Sequence, residues 1–159
     1  MKKIVFLMPV YNDWESFNKL LDEINFVIKD IKEFSFDCIV INDFSTIELP
    51  TIKKPHNINS LIIINMKKNK GHARCIASGL RYINNQKNYD YAIILDSDGE
   101  DRPIEIKDLI GVIKQEPEKS IVASRIKRSE GIIFQTLYKI HKLVTLIFTG
   151  KKINFGNYC

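Results

Sequence analysis

Five short apolar runs, most of them separated by segments of helical period, fix what this chain can become. Residues 4–8, 36–41, 61–65, 91–95 and 120–124 are too short for helices and rich in branched side chains. They are apolar throughout instead of at every second position, which predicts strands buried on both faces. Between the first two, Asp13 offers a cap to a helix whose apolar positions Trp14, Phe17, Leu20, Leu21, Ile24, Val27, Ile28 and Ile31 recur at three and four. A second helical segment runs over 72–84. A third starts at Pro103, a favoured first-turn residue, and carries Ile106, Leu109, Ile110 and Ile113 on one face. Strand alternating with helix predicts an α/β fold: a mostly parallel sheet with helices on both faces.

A chain of 159 residues is long enough for one domain with a substantial core. It holds no run of about 18 uncharged apolar residues and no signal-peptide pattern at its start. A soluble or peripheral protein is expected. Cys38, Cys75 and Cys159 lack metal-ligand spacing and leave one over, which suits reduced thiols in the cytoplasm. The net charge of +5 is unevenly placed: residues 1–118 hold 16 Lys+Arg against 18 Asp+Glu, and residues 119–159 hold 8 against the single Glu130. That asymmetry predicts an anionic partner for the last quarter, such as nucleic acid, a phosphorylated substrate or an acidic bilayer. No stacking platform or recognition motif supports nucleic acid. Residues 131–150 form an amphipathic segment in which Ile132, Ile133, Leu137, Ile140, Val144, Ile147 and Phe148 alternate irregularly with Lys139, His141, Lys142 and Thr145. Either packing on the core or an interfacial helix on an acidic bilayer fits that pattern, and the basic flank favours the bilayer.

Three strands end in polar residues at the same edge of the sheet: Tyr11-Asn12-Asp13, Asn42-Asp43 and Asp96-Ser97-Asp98. In a parallel sheet such ends lie side by side and converge on one crevice. Asp96 and Asp98 are hard oxygen ligands one residue apart, which suits Mg²⁺ or Mn²⁺ bridging a diphosphate. Asp43 could accept from a base N–H or a ribose hydroxyl, or could serve as a turn former. Lys67, Lys68, Lys70 and Arg74 surround Gly71 where a helix begins, an arrangement that favours a phosphate. Neither the phosphate-loop spacing nor Gly-x-Gly-x-x-Gly is present, which argues against ordinary kinases, ATPases and dinucleotide enzymes. His56, His72 and His141 are scattered and are expected to be surface or packing residues. No serine or cysteine triad is recognisable.

Taken in order, Pro9-Val10-Tyr11-Asn12-Asp13, Ile41-Asn42-Asp43-Phe44-Ser45, Asn69-Lys70-Gly71-His72-Ala73-Arg74 and Asp96-Ser97-Asp98-Gly99-Glu100-Asp101-Arg102-Pro103 resemble the family 2 glycosyltransferases of GT-A fold. The resemblance covers roughly residues 3–126 and is nearest to the dolichyl- or polyprenyl-phosphate sugar synthases. It implies an inverting transfer from a UDP- or GDP-linked sugar with Mg²⁺ or Mn²⁺. Residues 1–126 would form the nucleotide-sugar-binding catalytic core; 127–159 would hold the basic amphipathic segment and the start of an acceptor region that continues in longer members. Pro9, Tyr11 and Asp13 would line the nucleoside pocket and Asp43 would meet the base. Lys70, Gly71, Arg74 and Ser97 would complete the donor site. Asp96 and Asp98 would hold the metal, with Glu100, where the family commonly has Gln, as a third ligand. Asp98 and Arg125 would be catalytic, Arg125 lying near phosphate. Arg128 and Asn157 would lie on the acceptor side, where an Asp often neighbours the glycine of Asn154-Phe155-Gly156-Asn157-Tyr158 and this chain has Asn at both places.

A hydroxyl acceptor needs a carboxylate base as it attacks. A lipid phosphate is already an anion, so the missing carboxylate favours a polyprenyl phosphate acceptor. The expected setting is the cytoplasmic face of a membrane. A sugar-hydroxyl acceptor in cell-surface polysaccharide synthesis is the alternative within the family. A non-catalytic receiver-like module is a third reading, weakened by Ser124-Arg125 where a receiver has Lys. Oligomeric state is left open, a homo-oligomer included.

Overall fold

The computed structural model describes residues 1–99 and 101–121, together with positions 136, 140, 143, 144 and 147. The chain divides into two compact units, Met1–Pro117 and Glu118–Cys159. In the first, β1 (Lys2–Val10), α1 (Trp14–Ile28), β2 (Phe34–Asn42), β3 (Ser60–Asn65), α2 (His72–Gln86) and β4 (Tyr91–Ile94) are followed by a 3-10 turn (Pro103–Glu105) and α3 (Ile106–Gln115). Among the described residues all strand pairings are parallel and the order is β3-β2-β1-β4. The chain moves outward from β1 to β3 and then returns to the far side of β1. Right-handed crossovers therefore put α1 and α2 on opposite faces.

Alternation sorts the core into two layers. Val5 and Leu7 of β1 and Ile39 and Ile41 of β2 pack with Cys75 and Ile76 of α2. Ile4, Phe6, Met8, Phe36, Cys38 and Val40 are buried on the other face, where the Phe6 and Phe36 rings stack at 5.7 Å. The apolar stripe of α1, including Phe17, Leu21 and Ile24, is buried as its spacing predicts. Each such side chain contributes about 1.5–3 kcal/mol through the water it sheds. Asp13 Oδ1 accepts from the Ser16 backbone N–H at 3.2 Å and starts the helix. The helix stops at Ile28, short of Ile31, whose N–H donates to the Ile28 carbonyl in a closing turn.

Three strands differ from their expected form. Among the described residues β3 and β4 end the sheet, beside β2 and β1 respectively, and both are only partly buried. β1 continues through Pro9, which a central strand normally excludes because proline donates no hydrogen bond. It is tolerated because β4 pairs with β1 only as far as Leu7↔Ile94. The Pro9 carbonyl, facing that side, accepts from Ser97 Oγ at 2.7 Å. Of the expected fifth strand, Ser120 and Ile121 are not in a strand, and the rest lies outside the described residues. In the second unit, positions 136, 140, 143, 144 and 147 are helical and exposed.

At Gly79, α2 lies close against Leu7 of the sheet. A Cβ there would fall 2.3 Å from Leu7 Cδ1, inside a fully buried side chain. Gly79→Ala is expected to lower stability by about 1–3 kcal/mol through overpacking, read as an earlier urea midpoint. Cys38 and Cys75 are buried free thiols. Burial pushes the Cys38 thiol well up, and burial followed by the neighbouring Asp43 carboxylate pushes Cys75 up to about 12. Thiolate is the reactive form. Both should resist maleimide at pH 8 until denaturant is added; rapid labelling of either in the native protein would contradict this packing.

Candidate functional site

The strand order 3-2-1-4 makes the gap between the β1 and β4 tips the place where chain direction reverses, and an α/β sheet binds ligands outside that reversal. The Leu95 N–H donates to the Leu7 carbonyl, and buried Ser97 spans the same gap through its bond to Pro9. Ser97, expected among the donor ligands, is 8% exposed and its hydroxyl serves this tie between strands. Asp98 is exposed beside it, and Asp96 is partly exposed. The Asp96 N–H donates to Asp101 Oδ2 at 2.8 Å, closing the turn that presents both aspartates.

Across the crevice, residues 66–71 run along the carboxyl edge of the sheet from β3 to α2. Asp43 holds this segment: Oδ1 accepts from the Lys70 N–H at 2.7 Å and Oδ2 from the Gly71 N–H at 2.8 Å. The side chain is 4% exposed. The carboxylate expected at the base is thus engaged by the backbone that precedes α2, and sequence spacing had no means of anticipating that. Gly71 has φ +84, which a residue with a Cβ rarely adopts, and it caps α2 without a side-chain bond. Lys70 and Arg74 stand exposed around it.

His72, expected to be a surface or packing residue, brings its Nε2 within 3.2 Å of Asp96 Oδ1. The first residue of α2 therefore touches the tip of β4, although 24 positions separate them in the chain. With Asp43 on one side and Asp96 on the other, the Gly71 turn is tied to two strand tips.

The tips of β1 and β2 are clasped as well. The Asn12 N–H donates to Ser45 Oγ at 2.9 Å, and Asn12 Oδ1 accepts from the Thr46 and Ile47 N–H groups at 2.7 and 3.1 Å. Asn42 Oδ1 accepts from the Ser45 N–H, and its amide donates to Asn65. Tyr11 is exposed, and Asp13 spends one oxygen on capping α1. Pro9, Tyr11, Asp13, Asp43, Lys70, Gly71, Arg74, Asp96 and Asp98 therefore all belong to the carboxyl edge of one sheet. Glu100, Arg125, Arg128 and Asn157 lie outside the described residues.

Among the described residues no three His, Cys, Asp or Glu side chains form a metal-holding group. A two-carboxylate set still fits Mg²⁺ or Mn²⁺, because Mg²⁺ commonly takes one or two protein carboxylates and completes its shell with phosphate and water.

The sequence profile described as Glycosyl transferase family 2 matches residues 5–158. Undecaprenyl-phosphate 4-deoxy-4-formamido-L-arabinose transferases from Yersinia pestis (strain Pestoides F) and Photorhabdus laumondii are each 27% identical to it over 99% of this chain. The chain spans 47% of the length of those relatives. Among solved structures, residues 1–349 of S. aureus TarS in complex with UDP-GlcNAc superpose with a TM-score of 0.57 at 21% identity, over 80% of this chain and 39% of that one. The complex with UDP gives 0.56 at 20% identity, over 84% and 44%. The likeness to TarS is one of fold.

Proposed function

This chain belongs to glycosyl transferase family 2, and from that premise we propose that it transfers a sugar, with inversion, from a nucleotide-diphosphate donor to a polyprenyl phosphate. The observation that carries the reading is the presentation of Asp96 and Asp98 at the β4 tip, across the reversal point from β1 and beside the basic turn at Gly71. Lys70 and Arg74 would attract the donor's phosphates, and Tyr11 and Pro9 would border its nucleoside. Asp96 and Asp98 would hold Mg²⁺ or Mn²⁺, which when bound offsets the charge of the departing diphosphate.

In the transfer, a phosphate oxygen of the acceptor attacks the anomeric carbon from the face opposite the donor. The bond from that carbon to the diphosphate oxygen breaks, and the nucleoside diphosphate leaves with the electron pair. No proton has to be removed from a phosphate monoester that is already ionised, so no general base is needed. The acceptor named for the Yersinia and Photorhabdus relatives, undecaprenyl phosphate, supports this choice. Arg125 near phosphate and Arg128 and Asn157 at the acceptor complete the proposed roles, with Glu100 as a further metal ligand.

Ile140, Leu143, Val144 and Ile147, each helical in backbone, are exposed and spaced three, one and three positions apart. Together with the excess Lys and Arg after residue 118 they support contact with an acidic membrane face. Among the described residues no helix is long and apolar enough to cross a membrane.

The test is release of nucleoside diphosphate from UDP- and GDP-sugars, with undecaprenyl phosphate or an oligosaccharide as acceptor, with and without EDTA. Transfer to the lipid phosphate that EDTA abolishes is expected. Equal turnover in EDTA would reject the metal, and transfer only to the oligosaccharide would reject the acceptor.

A further inference from the structure

Phe44 combines two features that folding alone does not favour. Its φ is +62, a left-handed conformation that L residues with a bulky side chain avoid. The residue is 53% exposed, so little burial offsets the strain. The backbone around it is over-determined. The Asp43 N–H donates to the Val10 carbonyl, the Ser45 N–H to Asn42 Oδ1, and the Asn12 N–H to Ser45 Oγ. A strained residue fixed this firmly at a ligand crevice points to a binding role.

We propose that Phe44 packs against the face of the donor's nucleobase at the tip of β2. This rests on the donor-binding reading above and adds a residue to it. Tyr11, 48% exposed, precedes Asn12 as Phe44 precedes Ser45. The two residues therefore adjoin the partners of the hydrogen bond that joins the tips of β1 and β2. The β2 tip lies two strand spacings, about 10 Å, from β4. With its phosphates at Asp96 and Asp98, a nucleoside diphosphate extends across β1 toward Phe44. Every base has a π-face, so an aromatic platform adds affinity for the nucleoside without choosing among bases.

The experiment compares wild type, Phe44→Gly and Phe44→Tyr for binding of UDP, GDP and inorganic pyrophosphate in Mn²⁺ by calorimetry, alongside thermal melting. Phe44→Gly is expected to weaken UDP and GDP about tenfold, the scale of one lost base stack, with pyrophosphate affinity unchanged. Its Tm should be no lower than wild type, because glycine accepts the left-handed backbone. Phe44→Tyr should bind as wild type does. Unchanged UDP and GDP binding by Phe44→Gly would overturn the proposal, as would an equal loss for pyrophosphate or a lowered Tm. Wild type that binds pyrophosphate but neither UDP nor GDP would remove the donor reading itself, a result distinct from failure at Phe44.

Discussion

Asp98→Ala should reduce sugar transfer by about 10²–10³-fold, the loss typical when one preorganised electrostatic partner of a developing charge is removed. Asp98 is exposed in a turn after β4 and lies outside the buried layers on either face of the sheet, so the fold should be retained. Donor affinity in Mn²⁺ should fall in parallel, while the thermal transition stays within a degree or two of wild type, as is usual for surface substitutions. Calorimetric titration with UDP-sugar in Mn²⁺ and in EDTA separates the contributions. If Asp98→Ala bound donor as tightly as wild type in Mn²⁺, the metal assignment would fail.

The second large effect is expected at Asp43, through stability as well as binding. Its two oxygens accept the Lys70 and Gly71 N–H groups from a site that is 4% exposed. Asp43→Ala removes two charge-assisted hydrogen bonds, a loss of about 3–6 kcal/mol in all at roughly 1.5–3 kcal/mol each. Against a total stability of about 5–15 kcal/mol that is severe. Asp43→Asn, which keeps one acceptor and turns an amide donor toward a backbone N–H, should fall between. Urea unfolding measures both. Hydrogen exchange should show Lys70 and Gly71 as the amides that lose protection first, and donor affinity should weaken as the turn that carries Lys70 and Arg74 loosens. Retention of wild-type stability by Asp43→Ala would show that the turn is held by something other than this carboxylate.

The difference between these variants shows how the sequence divides. Asp98 could be placed from local pattern because it follows an apolar strand directly, and the end of a parallel strand is where ligands gather whatever the remaining topology. Asp43 also ends a strand, so its position was legible. Its partners were not, because they lie 27 and 28 residues further on, in a turn whose path over the sheet edge depends on strand order. His72 was less legible still: a lone histidine at a helix start carries no periodic signal, and only the crossing of residues 66–71 brings it to Asp96. The tie that Ser97 makes was hidden for a related reason. The pairing of β4 with β1 stops at Ile94, and that turns its hydroxyl toward the Pro9 carbonyl.

The alternation of strand and helix, the buried strands and the polar strand ends were determined by sequence alone, because hydrophobic period and capping chemistry act over a few residues. The order β3-β2-β1-β4, the tie of Asp43 and Asp96 to the start of α2, and the left-handed backbone at Phe44 were decided only in the tertiary structure. Each depends on hydrogen bonds between segments brought together by chain crossover, and no local pattern encodes which strand becomes whose neighbour.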